Sequence, residues 1–254
     1  MVTRWTSILL SVQKFGLIRT LTRLFSIFIF KAGFKSYVTE KGIGKIYLRR
    51  GTSDLPVYRQ VFLNGEYEIT VKGTPKVIID LGANIGLFSL LIRKKFPSAK
   101  IIAIEADPKN FLVLRQNMER FPEVFCINAA IWNTKTKLKI DSSDNTAEWG
   151  RTVSSITIEE KNVTVIDAIT MRDVKNEYSL ETIDILKIDI EGAEYELFLT
   201  DTEWLDDVKM VIVEFHDSIK KNSSNSFFKA LANRTDYSFG ISGENVVVEF
   251  SKSD

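Results

Sequence analysis

The stretch from Val77 to Gly86, VIIDLGANIG, decides the fold of this chain together with Lys100 to Pro108, KIIAIEADP. The first stretch predicts a buried strand, a turn at Gly82 and a helix that starts near Gly86, because an unbroken apolar run is typical of a parallel sheet covered on both faces. The second stretch predicts the next strand, which ends in an acid, Glu105. Two such strands joined by a helix indicate an α/β fold.

The turn between these strands has the features of a nucleoside site. Gly82 and Gly86 have no Cβ, so a ligand can lie against the backbone, and the free N–H groups of the following helix can receive an anionic group. Glu105, at the end of the second strand, is placed to accept hydrogen bonds from the two hydroxyls of a ribose.

The order of residues in the turn distinguishes between two possible cofactors. A dinucleotide fingerprint has the order GxGxxG, whereas this chain has Gly82, Asn84 and Gly86, and lacks the glycine that approaches a pyrophosphate. Asp80 precedes the turn, where it would repel phosphate and could bind a cationic amino group. The pattern therefore favours S-adenosylmethionine, which carries an ammonium, a sulfonium and a ribose. A nicotinamide cofactor and a turn that binds nothing remain the alternatives.

Composition indicates one folded domain with a basic appendage. The chain has 254 residues, 44% of them hydrophobic, which suffices for a full core and excludes a disordered chain. Its single cysteine, Cys126, lies in an apolar run and permits no disulfide within the chain, which suits a reducing, cytoplasmic compartment. Residues 1–50 contain ten Lys or Arg and one acid, Glu40. We therefore expect an N-terminal helical segment over residues 1–43 and the main domain over residues 44–254.

The N-terminal segment is rich in Leu, Ile and Phe but is interrupted by Lys14, Arg19 and Arg23. A membrane-spanning helix needs about 20 mostly apolar residues, and these charges leave no such run. Two interpretations stay open. The segment is either a pair of helices packed on the domain or, over residues 1–35, a basic amphipathic surface lying on an anionic membrane at its inner face.

The rest of the chain alternates short apolar runs with helical periods, which is typical of a parallel sheet with crossover helices. Asp107 and Pro108 predict the start of one such helix, with Asp107 as its N-cap. Residues 44–71 predict a small edge structure with alternating KIYLRR and YEITVKG segments. Residues 131–183 hold the β-like pieces KLKI, SSITI and NVTVI. The further predicted strands are Val124 to Ala130, Ile183 to Ile188, Met210 to Phe215 and Val246 to Phe250.

Two acidic constellations follow predicted strands. Asp189 and Glu191 follow ILKI, and Glu214 and His216 end VIVEFH. Because ligands of open α/β sheets bind at the carboxyl ends of the strands, we expect these side chains to share one crevice. His216, the only histidine, has the ordinary pKa range for taking a proton near neutrality. Asp189, Glu214 and His216 are also candidate ligands for Mg²⁺, although their spacing is no specific metal signature.

Four segments together resemble the FkbM-type family of S-adenosylmethionine-dependent methyltransferases. They are VIIDLGANIGLFSLL, AIEADPKNFLVLRQN, IDILKIDIEGAEYELF and VIVEFHD, and RRGTSDLPVYRQVFLNGEY precedes them as in the family. The resemblance covers about residues 50 to 250. It implies a Rossmann-like class I methyltransferase fold, a mostly parallel seven-stranded sheet whose last strand is antiparallel, with helices on both faces. It also implies that Glu105 holds the cofactor ribose and that Asp80 to Gly86 lines the methionine end.

Ala106 departs from the family, in which a glutamate and proline pair is common, but this leaves Glu105 intact. The resemblance implies O-methylation of a hydroxyl on a sugar, glycan or secondary metabolite, with Asp189, His216 and Glu191 as candidate catalytic residues. No nucleic-acid partner is expected. The alternatives are a non-catalytic, partner-binding protein at a membrane surface and an NAD-dependent oxidoreductase.

Overall fold

Thirteen strands and eight α-helices make up the fold of this computed structural model, which describes residues 4–31, 33, 36–140, 153–155 and 164–251. The strands are β1 (Tyr37–Glu40), β2 (Gly44–Tyr47), β3 (Val77–Leu81), β4 (Lys100–Glu105), β5 (Val124–Asn128), β6 (Ala130–Ile131), β7 (Thr136–Ile140), β8 (Val153–Ser155), β9 (Thr164–Ile169), β10 (Ile185–Ile188), β11 (Met210–Glu214), β12 (Tyr237–Ser242) and β13 (Asn245–Phe250). The α-helices are α1 (Arg4–Phe15), α2 (Leu17–Lys31), α3 (Asp54–Arg59), α4 (Leu87–Lys95), α5 (Pro108–Met118), α6 (Met171–Tyr178), α7 (Glu194–Leu197) and α8 (Ser223–Ala230).

Seven strands form the central sheet in the order β12-β13-β11-β10-β3-β4-β5. The five strands from β11 to β5 are parallel, and β13 runs antiparallel between β11 and β12. The sheet therefore has the strand order and the single antiparallel strand of a class I methyltransferase. The predicted fold class is confirmed.

Alternation along the central strands supplies apolar side chains to both faces of the sheet. In β3, Ile78 packs into a core with residues of α4 and α5, whereas Ile79 packs into a second core with residues of α6, α7 and α8. Successive side chains of a strand point to opposite faces, so an unbroken apolar run fits a strand that is covered on both sides. Helices accordingly flank the sheet on both faces.

Helix α5 begins as the sequence predicts. The Asp107 side chain accepts a hydrogen bond from the Lys109 N–H, and Pro108 occupies the first turn. This cap satisfies a backbone donor that has no partner within the helix. It also fixes the direction in which the chain leaves Glu105.

The four strands β6 to β9 form a second sheet in the order β6-β9-β7-β8. The predicted β-like piece KLKI corresponds to β7. Of SSITI only Ser154 and Ser155, in β8, are described, and Asn162 and Val163 of NVTVI lie outside the described residues. Ile131 and Ile140 line a cavity that also borders the turn at Gly82, so this sheet forms one wall of the site described below.

Residues Tyr67 to Gly73 differ from the predicted alternating strand. They form no strand, and their backbone has other partners: the Lys95 ammonium donates to the Ile69 carbonyl at 2.7 Å. The Tyr67 ring is buried edge-on against Phe88, with 4.9 Å between the ring centroids. The alternation of apolar and polar residues in this segment therefore reflects the burial of single side chains, and not pairing with a neighbouring strand.

The N-terminal helices pack on the domain, and some of their basic side chains contact it. Lys14 donates to the Asn64 carbonyl at 2.9 Å, and Arg23, which is buried, binds Glu40 at 2.7 Å. The expected division after residue 43 falls inside the β1–β2 hairpin, so the two parts share a hydrogen-bonded element. In the part of the chain that the structure describes, none of the helices combines the length and the apolar character needed to cross a bilayer.

Candidate cofactor site and active site

The turn after β3 lies against the end of β10. Gly82 has a φ of +71°, and a Cβ at this position would come within 1.7 Å of the Asp189 backbone oxygen. Only glycine allows this approach, because any larger residue would displace backbone atoms. The predicted need for glycine at position 82 is thus set by contact with the neighbouring strand end, and the cavity borders the same turn.

Glu105 lies at the carboxyl end of β4 and lines the cavity. Its two carboxylate oxygens accept hydrogen bonds from the N–H groups of Asn84, at 2.7 Å, and Asp107, at 2.8 Å. Burial raises the pKa of Glu105 to about 7, against the two backbone donors, which lower it. Since each carboxylate oxygen has a second lone pair, Glu105 can still accept hydrogen bonds from ligand hydroxyls.

The cavity fits S-adenosylmethionine at its adenosine end. Asn84, at a φ of 50°, lines the cavity, and its side-chain oxygen is buried with no hydrogen-bond partner among the described residues. A buried polar atom without a partner is costly, so a bound ligand that donates to it would be favoured. Ala106 lines the cavity beside Glu105. Ile131 and Ile140 supply apolar surface for a base.

Two residues predicted to line the cofactor lie beside or beneath the cavity instead. Asp80 is fully buried, accepts a hydrogen bond from the Ser89 hydroxyl at 2.6 Å, and is absent from the described cavity wall. Gly86 begins α4 with a φ of +85°, and a Cβ there would meet Met118 at 2.5 Å. Gly86 therefore allows α4 to pack against α5, while a direct cofactor contact by Asp80 or Gly86 stays a prediction.

Lys187 connects Asp80 to the cavity, and the sequence analysis missed it. Its ammonium lies 3.4 Å from an Asp80 oxygen and donates to Asp189, at 3.2 Å, and to the Gly82 carbonyl, at 3.0 Å. Burial opposes its charge, yet Asp189 and Asp80 outweigh burial and raise the Lys187 pKa. The signal was a lysine inside the apolar strand ILKI, where an unpaired charge would be costly.

The structure brings the predicted acids and the histidine together at the ends of β10 and β11. His216 Nε2 lies 3.8 Å from Asp189, 3.5 Å from Glu191 and 3.7 Å from Glu214. Strand β10 ends at Ile188, and Glu191 beyond it has a φ of 52°. A turn, rather than an extended run, brings the carboxylates to one side. All three acids line the cavity, and His216 lies behind them.

The crowding of carboxylates in this buried cluster raises the pKa values of Glu191, Glu214 and His216. Burial, reinforced by Asp189, raises the pKa of Glu191 to about 8 and that of Glu214 to about 7. For His216 burial acts against protonation, but the hydrogen bond and charge of Glu194 and the charges of Glu191 and Asp189 raise its pKa to about 9. At neutral pH the imidazole is therefore cationic. The pKa of His216 lies above the ordinary range that the sequence predicted.

This cluster predicts a pH dependence of stability. The ordinary pKa values are 4.5 for Glu191 and Glu214 and 6.5 for His216, all below those in the folded protein. The folded state thus binds more protons than the unfolded state between about pH 5 and 9, so the unfolding free energy should fall as pH rises through that window. The contribution of His216 to the unfolding free energy is fully present below the pKa that His216 has in the unfolded state. It is lost as the pH rises past the pKa of His216 in the folded state.

Thermal melts at constant ionic strength from about pH 5 to 9 test this linkage. Glu191→Gln should flatten the slope up to about pH 8, and the surface change Glu181→Gln should not. A melting temperature that rises with pH across the window, or equal slopes in all three proteins, would contradict the prediction.

Comparison with known proteins identifies the family. The model of the methyltransferase FkbM domain matches residues 80–239. The methyltransferase sdnD of Sordaria araneosa is 31% identical over 197 residues, covering 62% of this chain and 73% of that protein. The 2-O-methyltransferase NoeI of Sinorhizobium fredii is 24% identical over 185 residues, covering 67% and 73%. A solved FkbM methyltransferase from Methylobacillus flagellatus KT is 13% identical with a TM-score of 0.49, covering 76% of this chain and 48% of that one.

The matched range runs from the end of β3 to β12 and includes the turn at Gly82, Glu105 and the acids around His216. It spans more than half of the chain and contains both the cofactor end and the acidic end of the cavity. This chain therefore belongs to the FkbM family of methyltransferases.

Proposed function

We propose that this protein transfers a methyl group from S-adenosylmethionine to a hydroxyl of a sugar, glycan or other small molecule. One observation carries the proposal: Asp189, a carboxylate, lines the same cavity as Glu105. The relative NoeI, by its name a 2-O-methyltransferase, supports a hydroxyl acceptor. Family membership disfavours the dinucleotide alternative, and the acids along the cavity disfavour a protein that only binds partners.

In this proposal the chain supplies position and a proton acceptor. S-adenosylmethionine, when bound, supplies a methyl group already activated on a sulfonium. Glu105 binds the ribose hydroxyls, and Lys187 holds Asp189, which lines the same cavity. Asp189 takes the proton of the acceptor hydroxyl, and the cationic His216 behind it stabilises the surrounding carboxylates. Alignment of donor and acceptor accounts for much of the rate, as it does in other two-substrate reactions.

A labelling experiment tests the proposed function. The protein is incubated with methyl-labelled S-adenosylmethionine and fractionated extracts of the source cells, and labelled products are identified by mass spectrometry. We expect a methyl ether on a hydroxylated small molecule or glycan. Label found only on nitrogen, or on nucleic acid, would overturn the proposed acceptor class.

Substitution of Glu105 tests the cofactor end separately. Glu105→Ala should weaken S-adenosylmethionine binding about 10- to 100-fold, because charge-assisted hydrogen bonds of this kind contribute about 1.5–3 kcal/mol. Isothermal titration calorimetry measures the affinity, with Glu119→Ala, an exposed acid beyond the end of α5, as the control. Equal affinities of the wild type and Glu105→Ala would show that Glu105 does not bind the cofactor.

We also propose that the outer face of α2 contacts a membrane surface. Large apolar side chains there are exposed, among them Ile18 (80%), Phe25 (66%) and Phe28 (62%). A groove along this face is lined by Lys41 and by Arg19, which also pairs with Glu40 at 3.1 Å, and no acid is among the described residues that line it. Apolar side chains beside cations suit the boundary between lipid tails and anionic headgroups.

Vesicle co-sedimentation tests this contact. Because Arg23 is buried against Glu40, binding should depend mainly on the apolar face and should persist at high salt, unlike purely electrostatic attraction. The triple change of Ile18, Phe25 and Phe28 to Ser should abolish sedimentation with anionic vesicles. Phe239→Ser combined with Ile241→Ser, on exposed residues of β12, is the matched control. Sedimentation of the triple variant at the wild-type level would exclude this surface.

A further inference from the structure

Glu194 lies beneath the acidic end of the cavity and is fully buried. It is the first residue of α7, and one of its carboxylate oxygens lies 2.9 Å from His216 Nδ1. The same oxygen accepts a hydrogen bond from the Ile190 N–H at 3.2 Å. Its second oxygen has no hydrogen-bond partner among the described residues. The imidazole is therefore the main group that compensates for the burial of this carboxylate.

The other nitrogen of the imidazole faces the cavity acids. His216 Nε2 lies within 4 Å of an oxygen of Asp189, of Glu191 and of Glu214. These acids line the cavity, whereas Glu194 does not. The His216 ring thus stands between one carboxylate that is shielded from ligands and three that can meet them.

We propose that Glu194 is a positioning residue that holds the Nδ1–H of His216 and thereby aims Nε2 at the acids of the acceptor end. A buried carboxylate is costly unless it is paired, and pairing with one ring nitrogen fixes the orientation of the ring. In the Ser-His-Asp triad a buried carboxylate orients a histidine in this way and supports the reaction without touching the substrate. This inference rests on the proposed function for its consequence, but the contact itself can be measured without an acceptor.

The single histidine makes the contact directly observable. In nitrogen-15 NMR spectra recorded with a divalent-ion chelator present, every imidazole signal belongs to His216. We expect an Nδ1-bound proton that is protected from exchange with water, whereas a proton on Nε2 exchanges faster. A wild-type protein in which Nδ1 carries no proton, or exchanges as fast as Nε2, overturns the proposal whether or not any variant folds.

Glu194→Gln keeps the shape of the side chain and removes the charge that holds the proton. The Nδ1–H signal should lose much of its protection from exchange because a neutral amide oxygen accepts a weaker hydrogen bond than a carboxylate. The affinity for S-adenosylmethionine should not change because Glu194 does not line the cavity. Glu196→Gln, two residues along the same helix and paired with Lys220 at 2.9 Å, is the matched control and should leave the signal intact. An unchanged signal in Glu194→Gln, or its equal loss in Glu196→Gln, overturns the proposal.

Kinetics separate positioning from a purely structural role. With an acceptor identified by the labelling experiment, Glu194→Gln should lower kcat by about 10-fold or more, because the loss of a carboxylate that orients a histidine slows the reaction, at an unchanged KM for S-adenosylmethionine. An unchanged kcat would overturn the positioning role. If the wild type transfers no methyl group while the NMR result holds, the proposed function fails and the Glu194–His216 contact stands.

Discussion

Asp189→Asn should lower the rate of methyl transfer about 10²-fold or more, the usual contribution of a positioned acid or base. The change keeps the shape of the side chain and still allows an oxygen to accept the hydrogen bond from Lys187, which lies 3.2 Å away in the wild type. It removes the charge that would receive the hydroxyl proton. We therefore expect kcat to fall while the affinity for S-adenosylmethionine, measured by calorimetry, changes little.

Asp167→Asn is the matched control for this substitution. Asp167 is an exposed acid on β9 that pairs with Lys137 at 2.7 Å, so its loss changes the net charge equally without touching the cavity. Full activity in Asp167→Asn together with a large loss in Asp189→Asn would support the assignment. Full turnover in Asp189→Asn would mean that this acid only holds the fold or the substrate.

A chelator distinguishes a free base from a metal ligand at the same residues. Ligand atoms of Asp189, Glu214 and His216 lie within 4.8 Å of one another, and oxygen-rich groups of this kind can bind Mg²⁺. If these residues act without a metal ion, as a proton acceptor and its neighbouring charges, a divalent-ion chelator should leave the rate of methyl transfer unchanged. Loss of activity that Mg²⁺ restores would instead indicate that the residues bind an ion which polarises the hydroxyl.

Gly82→Ala should destabilise the protein by about 3 kcal/mol or more, which for a chain of this size lowers the melting temperature by about 6–12 °C. The new Cβ would lie 1.7 Å from the Asp189 backbone oxygen, and the φ of +71° adds strain. Because Asp189 and Lys187 meet the same turn, the displacement should also weaken cofactor binding. Differential scanning calorimetry and titration with S-adenosylmethionine measure the two effects.

Gly73→Ala separates the close contact from the strain. Gly73 has nearly the same φ, +73°, but a Cβ there would meet no atom within 4 Å. Gly73→Ala should therefore lower the unfolding free energy only by the strain of the left-handed backbone, about 1–2 kcal/mol, and should leave cofactor binding unchanged. Equal melting temperatures for the two variants would show that the contact between Gly82 and Asp189 is not important for stability.

In two parts of the chain the local sequence pattern does not reveal the tertiary contacts. The alternation of Tyr67 to Gly73 predicted a strand, but alternate burial also arises when single side chains enter a core. Asp80 was predicted to line the cofactor, which stays a prediction, and in the structure it also lies beside the Lys187 ammonium, more than 100 residues away in sequence. Nothing near Asp80 in the sequence signals that partner, because the contact depends on β3 and β10 being neighbours.

The sequence alone determined the elements whose causes are local. The apolar run at Val77, the acid at Glu105 and the cap at Asp107 specify strand, strand end and helix start, since burial periodicity and hydrogen-bond capping act over a few residues. The tertiary structure decided which charges meet. It placed Lys187 beside Asp80 and turned Arg23 inward, because such contacts depend on strand order and helix packing between residues distant in sequence.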